Sequence, residues 1–247
     1  MSSVATHAVP SGITPETTIG ELVVVRPALA RLFERVGIDY CCGGKQTLAV
    51  ACARRKLDLA TALALIESAD AALAGTRTEV DAGAMSLTQL ADHIEATHHD
   101  YLKNEIPRLM EMADHVSEKH AWRDPRLPAV AAAVRDLGQE MLCHMQKEEV
   151  VLFPLVRQIE SEARHGIRAG DLAGPIAQME AEHDTAGRLT QALRELTDNF
   201  TPNGEACNTH RALLAGLAEF ESDLHRHVHK ENNVLFPRAL ALAGGKN

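Results

Sequence analysis

Aromatic residues are scarce in this chain, one Trp, two Tyr and five Phe among 247 residues, while Ala and Leu abound. That balance tilts the expectation toward helices. Positive charge is also short: 25 Lys and Arg face 34 Asp and Glu, a formal net charge of −9. Such a surface argues against nucleic acid or an anionic membrane as partner. No stretch approaches the roughly 20 uninterrupted apolar residues of a membrane span. The opening "MSSVATHAVPSGITPE" has neither the basic start nor the apolar middle of a signal peptide, and it reads as a disordered leader over residues 1–16. Cysteines are five, odd in number and sparse. A disulfide scaffold is therefore not expected, and the cytoplasm is the expected compartment.

Apolar residues make up 45% of the chain, enough for a proper core in one large domain or in a small and a medium one. From residue 17 the pattern is helical: Thr17 or Thr18 can cap a first short helix, and Pro27 suits the first turn of a second that Gly37 closes. Two more short helices complete a small domain over 17–75. Residues 76–85 are small and polar and read as a linker. Beyond it, 86–247 carries four long helical patterns: Leu87–Lys119 with a bend expected at Pro107, a second ending near Arg164, a third from Leu172 or Pro175 to Asn199, and a fourth over Asn208–Ala243. No segment alternates as a strand does. The expected fold is all-α, an up-down four-helix bundle preceded by a small helical domain.

Histidine is the outlier, with 13 residues. Two of them have Glu four positions on, and both share one tail, H-x-x-x-E-x-x-x-L-F-P: His144, Glu148 and Leu152–Phe153–Pro154, then His227, Glu231 and Leu235–Phe236–Pro237. Residues four apart stack on one helical face. The first and third long helices repeat as well, so that His99–Asp100 in "EATHHDYL" corresponds to His183–Asp184 in "EAEHDTAG". Two helix-pair halves would thus turn four imidazoles and two carboxylates toward one core. His98 is the rival of His99, because Leu87, Ala91 and Ile94 continue to 98 in α-helical register; the His-Asp match favours His99. Burying Glu one turn before the apolar pair, twice, is costly unless a cation is bound. Six N and O donors with two carboxylates suit a pair of metals, each Glu bridging, and mixed imidazole and carboxylate ligation favours iron over zinc. Pro154 and Pro237 free the carbonyls of Val150 and Asn233 beside these residues. Of the remaining histidines, His93, His115, His120, His165, His210, His225 and His229 are expected at the surface.

Cys41 and Cys42 stand side by side in "DYCCGGKQTL". Consecutive Cα atoms, about 3.8 Å apart, are too close for an ordinary disulfide. Following a helix end and preceding the next helix, with Lys45 near, the pair is expected to have lowered pKa values and thiolate character. A mobile thiol module of this kind could take part in transfer. Cys143 adjoins His144 but points elsewhere, and Cys52 and Cys207 read as small helical or loop residues.

The bundle motif resembles the hemerythrin-like domain, and together with the "DYCCGGKQTL" segment the chain resembles the bacterial iron–sulfur cluster repair di-iron proteins. The resemblance implies a centre of two non-haem irons, oxo- or hydroxo-bridged, on His99, His144, Glu148, His183, His227 and Glu231. It implies a cytoplasmic stress role: repair of clusters damaged by nitric oxide or oxidants, with damaged iron–sulfur proteins or cluster scaffold proteins as partners and nitric oxide or dioxygen at the irons. A homodimer is compatible with it. Glu140, one turn before His144, and Glu182, next to His183, would lie on the route to the metals. The alternatives are an oxygen or nitric-oxide sensor or carrier, and a di-iron nitric-oxide reductase. The vicinal thiols favour repair over a simple carrier; nothing in the sequence separates the reductase.

Overall fold

The computed structural model describes residues 13–73, 81–161 and 168–244. The expected leader falls mostly, and the expected linker partly, outside those residues. The chain divides into two compact units, Met1–Ala84 and Met85–Asn247. Among the described residues all regular structure is helical, apart from one isolated bridge between Thr18 and Thr47.

The first unit contains α1 (Ile19–Val25), α2 (Leu29–Val36), a 3-10 turn (Cys42–Lys45), α3 (Leu48–Arg55) and α4 (Leu59–Leu73). Thr18 caps α1 in a reciprocal box with Glu21, satisfying amides that the helix start leaves open. Gly37 ends α2 at φ 70°, where a side chain would be strained. The helices close over Ile19, Leu29, Phe33, Leu48 and Ile66. Tyr40 is buried among them and donates from its hydroxyl to Glu34. In the cysteine turn, Ile38, Tyr40, Cys41, Gly43 and Gly44 are all buried.

The second unit is a four-helix bundle. Its first long helix joins α5 (Leu87–Ile94) and α6 (Asp100–His120) through a π-turn at Glu95–His99, and α6 continues through Pro107. The second joins α7 (Leu127–Lys147) and α8 (Phe153–Glu160) through a π-turn at Glu148–Leu152. The expected end near Arg164 lies outside the described residues. The third, α9 (Ala169–Leu196), starts before both expected positions, with Pro175 inside it. It stops short of Asn199 because Asp198, Asn199 and Phe200 all have positive φ. The fourth joins α10 (Asn208–Lys230) and α11 (Phe236–Ala243) through a π-turn at Glu231–Leu235. Contacts of α6 with α7 and α10, and of α7 with α9, give the up-down order. Glu160 at the end of α8 accepts from the amides of Leu87 and Thr88 at 2.7 and 2.8 Å and from the Ser86 hydroxyl at 2.9 Å. The last turn of the second long helix thus caps the first turn of the first.

Candidate metal centre

Each of the three π-turns begins or ends on a proposed ligand. At Glu148–Leu152 and Glu231–Leu235 the next amide, of Phe153 or Phe236, reaches back five residues to the carbonyl of Glu148 or Glu231. The proline after each Phe has no amide to give. One extra residue in the turn relieves that mismatch locally, as π-turns at functional sites commonly do. The turn at Glu95–His99 settles the choice between adjacent histidines. An α-helical step of four from buried Ile94 leads to His98, whereas the wider turn carries the inward direction to His99, and both rings end up buried. His99 enters the cluster at the core. His98 lies beside it, Nδ1 on Asp223 at 2.9 Å and its ring stacked on His227 at 5.5 Å between centroids.

All six residues picked out by the repeat meet in the bundle interior, each at most 1% exposed. They form two overlapping donor sets, His99, His227, Glu148 and Glu231, and His144, His183, Glu148 and Glu231. Three of the imidazoles are oriented from behind. Nδ1 of His99 donates to Glu149 at 2.7 Å, that of His144 to Glu182 at 3.0 Å, and that of His183 to Asn232 at 2.9 Å. With the proton held on Nδ1, Nε2 is the lone-pair nitrogen. The lone-pair nitrogens of His144 and His183 face each other at 2.9 Å, and His99 Nε2 lies 3.2 Å from His227 Nε2, which also lies 2.9 Å from Glu231 Oε1. Both oxygens of Glu148 and Oε2 of Glu231 are buried without a hydrogen-bond partner. Converging lone pairs and unmatched buried carboxylate oxygens are unfavourable until a cation lies among them. The residues present fit a metal.

The electrostatics agree. Burial and the neighbouring His183 push His144 down to about 3, and burial lowers His227 to about 4. Both therefore stay in the neutral, lone-pair form. Burial opposes charge on His99 too, yet Glu148, Glu231 and Glu149 outweigh it and raise its pKa. Burial and Glu231 raise Glu148 well above the carboxylate range, while His227 and His183 overcome burial and hold Glu231 well below it. The two carboxylates cannot both ionise cheaply in the bare protein. The pocket favours positive charge.

Residues 90–239 match the family model described as the hemerythrin HHE cation binding domain, and residues 15–70 match one described as a domain of unknown function, DUF542. The chain is 42% identical over 224 residues to the iron-sulfur cluster repair protein YtfE of Cronobacter sakazakii, an alignment covering 90% of this chain and 96% of that protein. The protein of the same name from Musicola paradisiaca is 40% identical over 225 residues, covering 91% and 96%. The chain belongs to the iron–sulfur cluster repair protein family. Its bundle is a hemerythrin-type cation-binding domain, and no helix among the described residues is long and apolar enough to cross a membrane.

Other expected residues fall differently. Glu182 accepts from His144 and pairs with Lys147 at 2.5 Å, so its geometry is that of a support for a ligand. Glu140 is exposed and stands outside both donor sets. His229 is buried and His93, His120, His210 and His225 are half-buried, contrary to the surface reading; His115 is exposed, and His165 lies outside the described residues. Low-pKa character at Cys41 is overturned. Cys42 beside it, burial and Asp39 all raise its pKa, because the thiol is 6% exposed and faces other acidic groups. Cys143 is exposed, Cys52 is buried in α3, and Cys207 caps α10 by accepting from the His210 amide. Glu149 and Asn232 escaped sequence reasoning. Each follows a motif Glu directly, which was the available signal.

Proposed function

We propose that the chain holds two iron ions in its bundle and repairs iron–sulfur clusters damaged by nitrosative or oxidative stress, by supplying iron. The observation that carries the reading is the pair of donor sets sharing two buried carboxylates, in a chain whose relatives at 40–42% identity are named iron-sulfur cluster repair proteins. His99 and His227 would hold one ion and His144 and His183 the other, with Glu148 and Glu231 common to both. Imidazole and carboxylate donors together suit iron better than the closed tetrahedral sites of structural zinc do. Iron bound there supplies redox chemistry and positions for small ligands.

The chain's own residues do the rest. Glu149, Glu182 and Asn232 fix the imidazole rings, and Phe153 and Phe236 stack on His99 and His183 with ring planes 19° and 3° apart. This leaves the ligands little rotational freedom and keeps water away from the carboxylates. Residues 17–75 form the thiol-bearing domain, 76–85 the linker and 86–247 the iron-holding bundle. Damaged iron–sulfur proteins or their scaffolds in the cytoplasm are the partners. Incubating iron-loaded protein with a nitric-oxide-damaged cluster enzyme should restore its activity while iron moves to it. Purification under anaerobic conditions with one zinc and no iron, or repair without iron transfer, would overturn the proposal.

A further inference from the structure

The first unit contains a second group of donors that the bundle does not use. Asp39, Cys41 and Cys42 bring a carboxylate oxygen and two sulfurs within 4.8 Å of one another. The cysteines are free thiols. Buried Ile38 and Tyr40 anchor the chain on both sides of exposed Asp39, and the 3-10 turn Cys42–Lys45 holds the backbone on the far side of the thiols. The Asp39 carboxyl folds back over Gly43, where a Cβ would meet its Cγ and Oδ2 at 3.2 Å. Glycine at that position keeps the space the carboxylate occupies. Oδ1 accepts from the Cys41 amide at 3.0 Å and from its Sγ at 3.2 Å.

We propose that Asp39, Cys41 and Cys42 form a separate metal site, an open site of two thiolates and one carboxylate for a single thiol-binding divalent cation of the Zn(II), Co(II) or Fe(II) class. This goes beyond the reading of the bundle and does not rest on it. A thiol that coordinates a cation gives up its proton. Binding forms two metal–sulfur bonds and one metal–oxygen bond, releases one proton from each thiol to the buffer, and changes no oxidation state. Three protein donors leave a fourth position of a tetrahedral ion free. Cys42 is half-buried and Asp39 exposed, so the site has an open side from which an ion can enter and leave. This is the arrangement of a transfer site; structural sites are closed.

The test uses the full chain with Cys143→Ser and Cys207→Ser, stripped of metal and titrated with Co(II). A thiolate-to-cobalt charge-transfer band reports this site, because the bundle's donors are nitrogen and oxygen and Cys52 is buried outside any donor group. The band's intensity should correspond to one thiolate-bound cobalt per chain, any cobalt taken by the bundle being silent in it; the band should vanish in Cys42→Ser and need more than about tenfold more cobalt in Asp39→Asn. Asparagine keeps the acceptor that caps the Cys41 amide, and circular dichroism checks that each variant is folded. No charge-transfer band, or unchanged affinity in Asp39→Asn, would overturn the proposal; the second outcome would leave Asp39 a turn cap only. Neither outcome bears on whether the bundle holds iron.

Discussion

Replacing Glu148 by Met should have opposite effects with and without metal. The side chain is fully buried and neither oxygen has a hydrogen-bond partner. An unmatched buried acceptor costs about 1–3 kcal/mol, and Glu231 nearby raises the cost of charge at this position. Met has the same unbranched length and similar volume, and it adapts to irregular core space. In chelator, Glu148→Met should therefore stabilise the bundle by about 1–3 kcal/mol, the cost of the unmatched acceptors. Thermal unfolding should then move up by roughly 2–10 °C. With metal the order reverses. The wild type gains about 2.7 kcal/mol per ion at a hundredfold excess over the dissociation constant, whereas the variant lacks a ligand common to both donor sets. Denaturant titration with circular dichroism, in chelator and in iron, reads both arms. A variant less stable than wild type in chelator would refute the reasoning, because the Glu148 oxygens would then be satisfied by the bare protein.

Glu160 offers a pH test away from the centre. Burial opposes its charge, but the amides of Thr88 and Leu87 and the Ser86 hydroxyl outweigh burial and lower its pKa. Its contribution is therefore full above the unfolded value of about 4.3 and lost as pH falls through the folded value. Glu160→Gln should cost about 1–2 kcal/mol at neutral pH and almost nothing in strong acid; a cost independent of pH would count against the cap. In Gly138→Ala the new Cβ would stand 2.8 Å from Ile106 Cγ2. Overpacking of about 1–3 kcal/mol should exceed the helix gain of about 1 kcal/mol, so a raised denaturation midpoint would contradict the close approach of α6 and α7. Alkylation followed by mass spectrometry should label exposed Cys143 first and buried Cys41 and Cys52 last; early labelling of Cys41 would contradict its burial.

The all-α fold and the His and Glu residues of the two L-F-P motifs were legible because they rest on local geometry. Residues four apart share a helical face whatever surrounds them, and a motif seen twice points to one shared core. Helix ends were less legible, since the stop of α9 depends on three positive φ angles and its start runs through Pro175. Choosing between His98 and His99 lay beyond periodicity altogether. A π-turn adds one residue to the register, and whether the backbone takes it depends on how the whole helix packs. Glu149 and Asn232 were hidden for a related reason: their partners, His99 and His183, are 50 and 49 residues away. The thiols show the same limit most sharply. A position before a helix start and a neighbouring lysine suggested thiolates, but pKa follows burial and the charges met in space. Folding buries the Cys41 thiol and turns the Asp39 carboxylate onto it.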